Sequence, residues 1–75
     1  MFAIINIADY DVTVVHTRKK FSDAVKLGIE IAKEQLDENP VTPKEVSNIE
    51  NYLKTQMLYT GNGWSVWIEK IESSK

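Results

Sequence analysis

The stretch WSVWIEKIE, residues 64–72, decides how this chain is folded. Successive side chains of a β-strand point to opposite faces, so a strand here places Trp64, Val66 and Ile68 on one side. Ser65, Trp67, Glu69 and Ile71 fall on the other. A strand with one dry and one wet face has use for a tryptophan on the dry side only. The second tryptophan therefore needs its own explanation.

Immediately before it, TGNG at 60–63 breaks the chain and delivers the strand. An alternative reading takes Gln56 to Thr60 as a short strand, hairpinned to the last one through Gly61, Asn62 and Gly63. The glycines precede a strand and open no helix, which excludes a dinucleotide-binding loop. Upstream, VTPKEVSNIENYLKTQM begins with a strong helix-start signal. Thr42 is the expected N-cap, Pro43 the first helical residue and Glu45 the far side of a capping box. The apolar stripe Val46, Ile49, Leu53 and Met57 is narrow, with Tyr52 on its flank.

FSDAVKLGIEIAKEQLDENP predicts a broader amphipathic helix, with Ser22 as its N-cap. Ala24, Val25, Leu27, Gly28, Ile29, Ile31, Ala32 and Leu36 form the apolar arc. Lys26, Glu30, Lys33, Glu34 and Asp37 lie opposite it. Asn39 before Pro40 ends the helix, because the residue ahead of proline is driven out of α space. Gly28 on the apolar side implies a close approach by another element. The opening FAIINIADYDVTVVHT predicts a hairpin, two β-branched runs around Ala8, Asp9, Tyr10 and Asp11.

The expected architecture is a single α+β domain over 1–75, in the order β-β-α-α-β. Three antiparallel strands in spatial order 2-1-3 carry both helices on one face, with a fourth short strand at 56–60 under the alternative reading. If the helices cover Ile5, Ile7, Val12, Val14 and the Trp64 side of the last strand, the open face presents Phe2, Ile4, Val15, Trp67 and Ile71. Asn6, Thr13, Thr17, Ser65 and Glu69 rim it. A large aromatic among aliphatics with a polar rim is the composition of a contact surface, for a protein partner or for a second copy as a homodimer. Against this stands cross-strand packing of Trp67 with Ile4 or Thr13, which would stabilise the sheet alone.

Composition removes other classes. With no cysteine there is no disulfide scaffold and no thiolate metal site. Nine basic against eleven acidic residues give a net charge of -2, too weak for a basic nucleic-acid face or an acidic mimic of one. The apolar fraction of 43% is that of a folded soluble chain, and no run reaches membrane-spanning length. The start lacks a signal peptide's basic region, so a cytoplasmic location is expected.

His16, the only histidine, has no catalytic partner at local spacing and reads as a strand-end surface residue. Asp9 and Asp11 are explained by turn formation, so no metal and no cofactor is expected. Arg18, Lys19 and Lys20 form the one basic cluster and are the candidate contact to nucleic acid, though no aromatic is interleaved with them. No spacing suits catalysis, so the expectation is a non-enzyme.

IINIADYDVTVVHT, AVKLGIEIAKE and WSVWIEKIE resemble, in style, small accessory proteins of phages, prophages and mobile elements of low-GC bacteria. Members of that class often bind and block a host protein, as anti-CRISPR and other anti-defence factors do. The resemblance thus implies a non-catalytic inhibitor acting by protein binding. The alternative is a small nucleic-acid-binding accessory protein using Arg18–Lys20.

Overall fold

The computed structural model describes residues 1–8, 11–36 and 41–71, with 12–14 described by their backbone. Its elements are β1 (Phe2–Ala8), β2 (Asp11–Arg18), α1 (Phe21–Leu36), α2 (Pro43–Thr55), β3 (Leu58–Thr60) and β4 (Trp64–Lys70). They form one antiparallel sheet in the order β2-β1-β4-β3, with helices packed on one face. The last strand pairs with the first, as expected. The short strand of the alternative reading is present as β3, so the sheet has four strands.

Local signals account for most element ends. Thr42 caps α2, its hydroxyl accepting the Glu45 N–H at 3.2 Å, and Pro43 opens the helix. The Glu45 carboxylate reaches Tyr59, whose hydroxyl donates to it at 3.2 Å, and so ties α2 to β3. Met57, read from sequence as the last member of the α2 stripe, lies beyond the helix at φ 57°. This left-handed turn after the Gln56 cap sends the chain back toward β4, and the Met57 carbonyl accepts from Ile68 N–H at 2.9 Å. Ser22 is not a cap. The helix starts two residues earlier than that cap implies, with Ala24 N–H bonded to the Lys20 carbonyl, and Phe21 packs its ring 5.3 Å from that of Phe2. The Asn39–Pro40 stop and the Asp9–Tyr10 turn lie outside the described residues.

The core lies between helices and sheet: Ile4, Ala24, Val25, Ile31, Ala32, Ile49, Leu53, Val66 and Ile68. Gly28 is where α1 comes close to Leu53 of α2. A methyl group placed there would meet Leu53 Cδ1 at 2.8 Å and Val66 Cγ1 at 3.7 Å. This explains why a helix accepts glycine on its apolar side, at a cost of about 1 kcal/mol in propensity. Leu53 is fully buried and has little room to yield. Gly28→Val is therefore expected to destabilise the fold by about 2 kcal/mol, read as a lower urea midpoint at unchanged m value. A valine variant as stable as the parent would mean that the layers are not in contact there.

Candidate protein-interaction surface

The register of β1 against β4 assigns the two faces of the sheet. Ile4 is opposite Ile68, Asn6 opposite Val66 and Ile5 opposite Trp67. Side chains directly opposite one another share a face. The even-numbered residues of both strands therefore lie under the helices, and the odd-numbered ones form the outer face. This corrects the expected surface in part. Ile4 is fully buried in the core and Phe2 packs against Phe21, so neither belongs to the outer face. Asn6, expected at the rim, is 2% exposed on the helix side, where its amide donates to the Ser65 carbonyl at 3.0 Å.

The reason is topological. Val66 is fully buried in the core, so its chain neighbour Trp67 is turned outward. β2 also breaks its register with β1 between Asn6 and Ile7.

Trp67 and Val15 are on the outer face, as the sequence reading placed them. They belong to one row that crosses all four strands: Val15 opposite Ile5, Ile5 opposite Trp67, and Trp67 opposite Leu58. Val15 is 57% exposed and Leu58 39%. Ile71, just beyond β4, is also 39% exposed, with its N–H donating to the Met1 carbonyl. Ile5, Ile7 and Leu58 complete the surface and were not anticipated on it. The signal existed, because Ile5 and Ile7 alternate with Ile4 and are equally apolar, but it favours neither face.

A shallow depression of about 440 Å³ lies where this face meets the β3–β4 hairpin, lined by Ile7, Leu58, Thr60, Ser65 and Trp67 together with the turn. Gly61 leaves room for the Trp64 indole, which a Cβ at that position would strike. Gly63 takes φ +82°, whereas Asn62 does not have positive φ, so the turn is not the type I′ common in tight hairpins. A second depression of about 520 Å³ flanks β3 on the helix side, lined by Asn48, Tyr52, Gln56 and Tyr59 and reached by Leu58 and Thr60. The Tyr59 ring meets that of Tyr52 edge-on and that of Trp64 at a tilt, with ring centres 5.7 and 5.8 Å apart.

Arg18, Lys19 and Lys20 are all exposed at the far end of the sheet. The Arg18 guanidinium donates to its neighbour's carbonyl, that of Thr17, at 2.7 Å. It shares a shallow hollow with Lys26 but also with Asp23 and Glu30, so the local charge is mixed. His16 is exposed at the β2 edge opposite Ile4. Among the described residues no three His, Cys, Asp or Glu side chains are grouped to hold a metal, and no helix is long and apolar enough to cross a membrane. Compared with known proteins, the chain matches no family model, no curated protein and no solved structure.

The two tryptophans should separate in a stability experiment. Trp64 packs against the core cluster, and Trp64→Ala is expected to cost about 3 kcal/mol in urea unfolding. Trp67→Ala removes only cross-strand contacts on the open face and should cost less than about 1 kcal/mol. Equal losses would make Trp67 a structural residue and remove the case for a contact surface.

Proposed function

We propose that the chain is a non-catalytic protein-interaction domain that engages a partner protein through the outer face of its sheet. The observation carrying this reading is the uninterrupted apolar row Val15–Ile5–Trp67–Leu58, with no element of the described chain packed over it. Glu69 is the one charged side chain among the described outward-facing strand residues, and a merely solvated face would carry more. Tryptophan at the middle of such a row is the residue type that most often supplies binding energy at interfaces.

The most concrete form of the proposal is blockade of a host protein by a phage or mobile-element factor, of anti-CRISPR or other anti-defence type. Its support is the sequence style of the two terminal strands and the first helix. The nucleic-acid reading is weaker, because Asp23 and Glu30 offset the positive charge near Arg18. The face alone offers roughly 400 Å², against about 800 Å² per partner in a stable interface, so a partner protein, like a second copy, must also contact the chain beyond it.

The test uses a photo-crosslinking side chain at Val15, on the outer face, and at Glu34, exposed on α1, with the full chain expressed in bacterial cells. A single protein adduct is expected from position 15 and not from position 34. Excess unlabelled wild type should abolish it, and excess Trp67→Ala should not. Equal labelling from both positions would refute a dedicated outer-face interface.

A further inference from the structure

β3 forms one edge of the sheet, and the two described bonds flanking it establish which way its backbone points. Met57 accepts from Ile68 N–H, and Gly61 donates to the Trp64 carbonyl, both at 2.9 Å. Hydrogen-bonding groups of alternate residues in a strand face the same way. Tyr59, midway between Met57 and Gly61, thus turns its N–H and C=O toward β4. Leu58 and Thr60 turn theirs outward, to the open edge. Both residues are exposed, and both line the depressions on either side of the sheet.

We propose that this edge receives an extended, uncharged peptide segment of a partner protein as a fifth strand, its side chains entering the two depressions alternately. The inference deepens the protein-interaction reading and rests on it for the outer depression. An added strand lies about 4.8 Å beyond its neighbour, and its side chains alternate between the faces in step with those of β3. Residues opposite Leu58 and Thr60 would point to the Trp67 side, where Ile7 and Leu58 make an apolar floor. The residue opposite Tyr59 would point to the helix side, where Asn48, Gln56 and Tyr52 offer amide and hydroxyl groups. The partner segment therefore reads apolar, hydrogen-bonding, apolar.

Charge and area select this occupant. Among the described residues no charged side chain lines either depression, which suits neither an acidic nor a basic segment. A second copy pairing β3 with β3 would share three residues, roughly 10 Å of strand, far short of the ~800 Å² per partner that a stable dimer buries. A partner's extended segment adds to the same strand contact the side chains it seats in both depressions. The opposite edge, β2, is longer but carries a register break, a device that discourages strand addition.

The test is to pan a display library of random heptapeptides on the full chain and synthesise the most enriched sequence. The expected consensus alternates apolar and hydrogen-bonding residues, and the synthetic peptide should slow hydrogen exchange at the Leu58 and Thr60 amides. Thr60→Pro removes an outward donor while sparing the Tyr59 and Gly61 bonds, so it should weaken binding by about tenfold or more at an unchanged circular dichroism spectrum. The same peptide N-methylated at its β3-facing amides asks the same question of the unaltered protein and should bind equally poorly. No alternating consensus, or undiminished binding by Thr60→Pro and by the methylated peptide, would overturn strand addition. If Trp67→Ala abolishes that undiminished binding, the outer-face reading survives while the edge proposal falls. Binding lost in Thr60→Pro but intact in Trp67→Ala would uphold the edge and overturn the face.

Discussion

The pairing of the first strand with the last, Ile4 opposite Ile68, is the constraint on which both sides of the molecule depend. Strand side chains alternate with a period of two, so a slip of one residue would exchange the faces of one strand relative to the other. In the observed register Ile4, Val66 and Ile68 meet Leu53, Ile49 and the small residues of α1 in a single core. Asn6 reinforces it, because its buried amide is satisfied at the Ser65 carbonyl and a slipped register would separate the two. Gly28 completes the arrangement by making room for Leu53 of α2 beside α1.

The outer face is the consequence of that packing. Once Val66 and Ile68 are committed to the core, Trp67 has no place but the solvent side, where it joins Ile5, Val15 and Leu58. The left-handed turn at Met57 has an effect of the same kind. It folds three residues after α2 back along β4, creating an edge strand with a depression on each side. Face and edge meet at Leu58, so a partner strand laid along β3 would also cover part of the apolar row. The two surfaces are neighbouring parts of one recognition region.

Much of this was legible residue by residue where the signal is local. Thr42 and Pro43 mark the start of α2, because capping is decided by a few adjacent backbone groups. The arc from Ala24 to Leu36 identifies the buried side of α1, and the glycine within it announces a close contact. The failures have a common origin. Ser22 has the chemistry of a cap, but the helix already begins at Phe21, whose ring packs against that of Phe2. Phe2 and Ile4 were assigned to the open face because β1 is apolar on both sides, so alternation alone carries no preference. Of the candidate surface, Trp67 and Val15 could be found from pattern, while Ile5, Ile7 and Leu58 could not.

The sequence by itself determined the element types, their order, and the presence of one more tryptophan than a half-buried strand needs. Helical period, strand alternation, caps and turns act over a few residues, and nothing distant is required to read them. Only the tertiary structure decided the register of β1 with β4, the covered face and the free edge of β3. Those depend on pairing residues far apart in the chain, such as Ile4 with Ile68, and on packing α1 and α2 against the sheet. Two nearly equivalent apolar faces were available to β1, and its pairing with β4, Ile4 opposite the buried Ile68, selected between them.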